Sequence, residues 1–328
     1  MGTQPPLTSF QIEFLAISNN IVSIGSFLAL IIFFASIAFT SAKKMSFPLK
    51  LICNLFFSDF IYSISNLMPN LSRQYPYACN IEGILRIFGC WASVFWATII
   101  SYSAYCLTVR NDFSIVRKYR TMLVIGYIVP VLFSLVPFLP IPIDYTYNGA
   151  FCIPMYSAPG IDLAEKTEKT IVIQFLFFLG WAWVAIFLTT YYYIRLFSYL
   201  RGLELDSSIL EVKKILIFPV LLLIAFIPMT LDNLVIFPSF HFPLLAFYTI
   251  VLHALGLLNV LAYGYQRMRS SANKIVDNEE EKNNKDIEVV SNPNVETDNE
   301  DGVRDRMDSL TKNEYNLRIV LLETTNTL

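Results

Sequence analysis

Charge is scarce in this chain. Only 15% of its 328 residues are Asp, Glu, Lys or Arg, while 55% are hydrophobic. A soluble domain carries about a quarter charged residues, so the shortfall points to lipid as the solvent for much of the chain. Histidine is scarcer still, with two residues, too few for a cluster of imidazole ligands. The five cysteines include no Cys-x-x-Cys pair, so no metal centre is expected. The hydrophobic segments hold no paired aspartates, no Ser–His couple and no His ligand set, and His253 stands alone in its segment as a packed or hydrogen-bonded residue. The chain is therefore expected not to be an enzyme and to need no cofactor.

Bases are missing from the first twenty residues, which removes the basic n-region of a cleavable signal peptide. Met1-Gly2-Thr3-Gln4-Pro5-Pro6 also lacks the hydroxyl residue that N-myristoylation wants at position six. The first hydrophobic segment is expected to act as its own insertion signal.

The charge that is present divides the chain in two. Through residue 276 there are 18 bases against 12 acids, a net of +6, and from Asp277 onward 14 acids against 6 bases, a net of −8. A basic membrane body is thus followed by an acidic solvated tail. A helix needs about 20 apolar residues to cross roughly 30 Å of hydrocarbon. Seven stretches qualify: 21–40, 51–68, 81–107, 122–139, 170–197, 215–236 and 243–264. The expected fold is an all-α membrane protein, a seven-transmembrane helix bundle. A short extracellular N-terminus over 1–20 precedes it. An amphipathic juxtamembrane helix over 265–275 is expected to lie on the anionic inner leaflet, followed by a disordered acidic cytoplasmic tail over 276–328.

Orientation follows from the bases of the short loops. One side collects Lys43, Lys44, Lys50, Arg110, Arg117, Lys118, Arg120, Arg195, Arg201, Lys213, Lys214, Arg267, Arg269 and Lys274. The other has Arg73, Arg86, Lys166 and Lys169, a bias of fourteen to four that puts the N-terminus outside and the protein in the plasma membrane. The Asn70-Leu71-Ser72 sequon then falls outside, making Asn70 a glycosylation candidate. Cys79 and Cys152 also fall in that oxidising space, as a candidate disulfide that would tie the loop after span four across the top of span three. Asn148-Gly149 signals a tight hairpin turn within that loop. Cys53, Cys90 and Cys106 read as small buried apolar residues.

Ionisable groups inside the spans are few and costly. Asp59, midway along span two, needs an inward-facing partner. Asn259 of span seven is the natural one, with Tyr263 a turn below it. The three read as a polar switch between two helix arrangements, or as static polar glue. Glu82 and Arg86, spaced i, i+4 at the outer end of span three, either pair with each other or turn to a polar ligand. Asp232 and Asn233 in span six leave the same choice open. Pro130 and Pro137 in span four, and Pro219 and Pro228 in span six, invite kinks. Tyr191-Tyr192-Tyr193 fits an interfacial belt. In the tail, Ser291, Thr297, Ser309 and Thr311 are phosphorylation candidates, with Arg306 three residues before Ser309.

Seven spans, an outside N-terminus and a cysteine atop span three resemble a G-protein-coupled receptor. The chain looks most like the cyclic-AMP-receptor-like family. The likeness rests on Lys50-Leu51-Ile52 through Ser58-Asp59-Phe60, Ala92-Ser93-Val94-Phe95-Trp96-Ala97 and Gly126 to Pro130. It continues through Phe218-Pro219 with Ile227-Pro228, and Gly256-Leu257-Leu258-Asn259 to Tyr263-Gly264. It covers roughly residues 20–270. Two departures from rhodopsin-like receptors stand out. Span three ends Cys106-Leu107-Thr108-Val109-Arg110 without an Asp-Arg-Tyr, and Val260 follows Asn259 where those receptors have proline. The resemblance implies coupling to a heterotrimeric G protein, with Arg117, Lys118, Arg120, Lys213 and Lys214 as contacts, and feedback by kinases and arrestin-like proteins at the tail. It also implies an extracellular small-molecule ligand such as cyclic AMP, whose phosphate would want Arg86, Lys166 or Lys169, although Asp232 opposes an anion.

The competing reading is a seven-span transporter. Those are built from internal repeats, and spans one to three do not repeat as spans five to seven. A retinal photoreceptor needs a lysine in span seven, and 243–264 contains none.

Overall fold

The computed structural model describes residues 7–38, 45–140, 142–147, 151–157, 169–170, 172–173, 175–202, 217–233 and 241–288, with the backbone alone at 70, 177–178, 217–219, 233 and 266–288. Nine helices and one hairpin follow in order among these residues. They are α1 (Ser9–Ala38), α2 (Phe47–Asn66), α3 (Pro69–Gln74), α4 (Pro76–Thr108), α5 (Ser114–Arg117) and α6 (Tyr119–Ser134), then strands β1 (Ile143–Tyr147) and β2 (Cys152–Tyr156). After the hairpin come α7 (Gly180–Gly202), α8 (Ile217–Asn233) and α9 (His241–Glu288).

The surface is apolar where a soluble protein's would be charged. Along α1 the inward stripe runs Leu15, Asn19, Ser23, Ser26, Leu30, Phe33 and Ile37, while Phe10, Ile17, Ile21, Ile24 and Leu28 are exposed. Polar groups face in and aliphatic groups face out, which suits lipid and not water. Among the described residues, α1, α2, α4 and the first part of α9 (His241–Tyr265) are long and apolar enough to cross a membrane, with shorter apolar helices over Tyr119–Ser134 and Val220–Asp232. The chain is a helical membrane protein.

Helix ends depart from the sequence expectation, each for a local reason. Helix α1 starts at Ser9 rather than at residue 21 because Thr8 and Gln11 form a capping box. Gln11 N–H donates to Thr8 Oγ1 (3.3 Å) and Thr8 N–H to Gln11 Oε1 (2.9 Å), satisfying two free donors at the helix start. Residues 9–20, expected to lie ahead of the first span, are thus part of its helix. Helix α4 starts at Pro76, five residues early, because proline at the first helical position costs no hydrogen bond. Helix α6 stops at Ser134 instead of reaching 139. Pro137 can donate no N–H and disfavours α geometry in the residue before it, so the chain tightens into a 3₁₀ turn over Val136–Phe138. Within the expected fifth span, residues 172–173 are helical and a wide π-turn over Phe175–Leu179 leads into α7. Helix α9 runs unbroken to Glu288, so neither a separate helix over 265–275 nor irregular chain from 276 is present. No proline stands between Tyr265 and Glu288 to stop it. The turn residues 148–150, and the tail from 289 with all four of its phosphorylation candidates, lie outside the described residues.

The helices close into a ring in which α1 packs on α2 and α9, α2 on α4, α4 on α6 and α7, and α8 on α7 and α9. Helix α4 also supports both strands. One apolar cluster fills the half of the bundle beneath the hairpin, with Leu15, Tyr62, Trp91, Val94, Phe226, Tyr248 and Leu252. A second fills the opposite half, with Leu30, Phe33, Phe56, Trp96, Ile115 and Met122. Tyr193 is buried against Leu196 and Leu200 and does not sit in an interfacial belt, whereas Tyr191 is exposed.

The tightest crossing is α2 against α4. A Cβ placed on Gly89 would stand 2.7 Å from the backbone nitrogen of Tyr62 and 2.8 Å from its Cα. Backbone cannot yield as a side chain can, so Gly89→Ala is expected to destabilise the bundle by about 1–3 kcal/mol, read as a lowered Tm of the detergent-solubilised protein. An unchanged Tm would mean that the two helices are free to part.

Candidate functional site

Between the two apolar clusters lies a polar waist. The Asp59 carboxylate, 3% exposed, accepts from Ser93 Oγ at 2.6 Å through Oδ1 and from Asn259 Nδ2 at 2.8 Å through Oδ2. Three helices, α2, α4 and α9, thus converge on one carboxylate. The expected Asp59–Asn259 partnership is present, and Ser93 joins it. The Tyr263 ring packs edge-on against Phe33 and Phe56. A small cavity of about 10 Å³ adjoins Asp59, walled by Tyr62, Cys90, Ser93, Leu222 and Leu252 among others, room for roughly one water.

Towards the hairpin, Glu82 and Arg86 are both buried, and they do pair with each other (Oε1 to Nη2, 3.1 Å). Glu82 Oε1 also accepts from the backbone N–H of Cys152 at 3.2 Å. Arg86 Nη1 meets His253 Nε2 at 3.4 Å. Its guanidinium carbon lies 4.4 Å from the Phe151 ring centre and 5.7 Å from that of Tyr62, within range of cation–π attraction. The hairpin residues Phe151 and Cys152 therefore form the roof of this pair.

That roof is fixed in place at three points. Cys79 and Cys152 form the expected disulfide. Tyr145 O–H donates to the carbonyl of Ser134 at the end of α6 (2.8 Å). Its ring also lies so close to α4 that a Cβ on Gly83 would come 2.1 Å from it. Burial pushes the Tyr145 hydroxyl pKa above its ordinary value.

Other expected site residues are placed apart. Asp232 pairs with His241 Nδ1 at 2.6 Å, a partner that sequence reasoning missed because His241 lies just before the expected seventh span. Asn233 shows its backbone alone. Missed too was Ser26 of α1, whose hydroxyl donates to the His253 carbonyl (2.6 Å) and accepts from Leu257 N–H (3.3 Å). It enters the i, i+4 ladder of α9 at the rung between them. Past the C-terminal end of α4, Asn111 takes a positive φ of 51° and turns the chain away from the helix. Hydrogen bonds from the Ser114 side chain and backbone hold the Asp112 carboxyl below its ordinary pKa. Arg117, Lys118 and Arg120 are exposed there. Lys213 and Lys214 lie outside the described residues. The sequon occupies α3, with Ser72 buried.

No family model matches this chain, and no curated protein does. The likeness to the cyclic-AMP-receptor-like family therefore rests on the sequence motifs alone. Solved structures do match. The crystal structure of squid rhodopsin superposes with a TM-score of 0.59 over 80% of this chain and 85% of that one, at 15% identity. The fold is rhodopsin-like. That likeness is one of architecture, and α9 still lacks a lysine between His241 and Gly264.

The buried pair carries its own test. Arg86→Met strands the Glu82 carboxylate without its cation, and truncating one member of a buried pair costs about 3–5 kcal/mol. The double variant Glu82→Gln/Arg86→Met is expected to recover most of that loss in Tm. Equal Tm values for single and double variants would contradict the pairing.

Proposed function

We propose that this chain is a seven-span G-protein-coupled receptor of the plasma membrane, its N-terminus outside. In this reading it converts an extracellular small-molecule signal into nucleotide exchange on a heterotrimeric G protein. The observation that carries the reading is the Asp59–Ser93–Asn259 knot at the waist of a rhodopsin-like bundle. A carboxylate at mid-membrane is expensive to keep, and one bonded to two other helices is suited to bistability, because relative motion of those helices exchanges its hydrogen bonds. A ligand bound at the outer end, where Glu82, Arg86, Asp232 and Asn233 are the candidates, shifts that two-state equilibrium by its differential affinity. Arg117, Lys118 and Arg120, with Lys213 and Lys214, meet the G protein at the inner face. Asn70 carries glycan, Ser309 and Thr311 carry phosphate, and kinases and arrestin-like proteins act at the tail. The rhodopsin-like fold favours a receptor over a transporter.

The reading is tested by GTP-analogue binding to Gα in membranes containing the protein, over a ligand panel that includes cyclic AMP. A ligand-dependent rise lost in the Lys213→Ala/Lys214→Ala variant is the expected result. Exchange that no ligand raises, together with solute flux into vesicles, would transfer the chain to the transporters. Asp59→Asn is expected to change basal exchange, stimulated exchange and their response to sodium; if all three stay put, Asp59 is glue and no switch.

A further inference from the structure

The Glu82–Arg86 pair is balanced in charge but not in hydrogen bonds. Glu82 Oε1 takes two donors, Arg86 Nη2 and the Cys152 N–H, whereas Oε2 takes none. Arg86 uses Nη1 and Nη2, and its Nε–H is unmet. Contact with a guanidinium makes His253 Nε2 the acceptor, so the ring proton sits on Nδ1, which has no partner. Glu82, Arg86 and His253 are at most 6% exposed, and three unmatched buried polar atoms on neighbouring side chains mark a place where a partner belongs.

The geometry points to a zwitterionic ligand of the amino-acid type at this cluster, a reading that rests on the receptor function proposed above. The rings of Phe151 and Tyr62 stand over the guanidinium, while Nε and Nη2 share one edge of the group. That edge is the one a carboxylate bridges with two parallel hydrogen bonds, and Glu82 occupies only half of it. A ligand carboxylate completes it, and the ligand ammonium takes the freed Glu82 oxygens. Every charge stays paired in the exchange. A lone anion would leave Glu82 buried without a cation. A lone amine would strand Arg86. Burying an unmatched charge is what such an interior resists most, so the site selects for both signs in one molecule. Because Glu82 also holds the Cys152 N–H, the exchange releases one anchor of the hairpin roof.

The test is thermal unfolding of the full chain in lipid nanodiscs with a panel of standard L-amino acids. Alongside run the matched acids without the amino group, the matched amines without the carboxylate, cyclic AMP and inorganic phosphate. At least one amino acid is expected to raise Tm, with its deaminated and decarboxylated analogues roughly thirtyfold weaker or worse. Glu82→Gln is expected to shift preference to the acid without the amino group, and Arg86→Gln to the amine without the carboxylate. Loss of folding alone cannot produce such an exchange of preference. Stabilisation by cyclic AMP or phosphate alone, by no amino acid, or with preferences unchanged in both variants would overturn the proposal. Ligand-independent exchange on Gα, and its loss in the Lys213/Lys214 variant, judges the receptor reading separately.

Discussion

A carboxylate in the middle of an apolar bundle must be supplied with donors, and the arrangement of this molecule depends on how Asp59 is supplied. Its two oxygens take one bond each from α4 and α9. That fixes the height of three helices at once. A slip of one residue in α4 would turn Ser93 away by about 100° and present Ala92 or Val94, neither of which can donate. The close contact of Gly89 with the Tyr62 backbone sets the distance, and the serine hydroxyl sets the register. The apolar clusters above and below then pack around a position already decided, since close packing distinguishes shapes but only directional bonds distinguish one register from the next.

Outside, the same economy of charge appears in another form. The Glu82–Arg86 pair does not tie helices together directly, because both residues are on α4. It ties α4 to the hairpin through Cys152 and to α9 through His253. The disulfide at Cys79 closes a separation of 73 residues, and covalent closure of a loop that long stabilises by about 4 kcal/mol on chain-entropy grounds. Its local effect matters as much. With Tyr145 wedged against Gly83 and bonded to Ser134, the roof over the ion pair cannot drift, and Phe151 stays on the guanidinium.

Features fixed by a strong physical demand were legible in the sequence. Asp59 needed a polar partner at its own depth, and Asn259 met that demand. Two cysteines on one side of the membrane left little room for another pairing. The long apolar helices α1, α2, α4 and the first part of α9 were visible because hydrocarbon admits little charge. Contacts decided by the rotational setting of a helix were not legible. Ser93 is one serine among several on α4, and only the packed bundle shows which one meets Asp59. His253 read as a packed or hydrogen-bonded residue, and nothing in the sequence showed that its partner is Arg86. Helix ends failed in the opposite way, since their signals were present. Thr8-x-x-Gln11 is a capping box and Pro76 an N-terminal proline, but both lie beyond the apolar run, and hydropathy alone does not register them.

The outer cluster and the waist share their helices. Arg86 and Ser93 are seven residues apart on α4, two turns along nearly one face, so rotation of α4 displaces both together. Tyr62 and Asp59 stand one turn apart on α2, with Tyr62 beside Arg86. On α9, His253 and Asn259 are six residues apart, roughly 9 Å along the axis, and between them lies the rung that Ser26 enters from α1. A helix whose ladder admits a foreign hydroxyl is weakest in bending at that point. A displacement of His253 by events at Arg86 therefore has a place to be absorbed before it reaches Asn259, or to be passed on as a bend. Under the proposed receptor reading, a wholly rigid connection would hold a single state and a wholly loose one would carry nothing from the Glu82–Arg86 cluster to the waist, so the rung that Ser26 enters is where coupling is tuned.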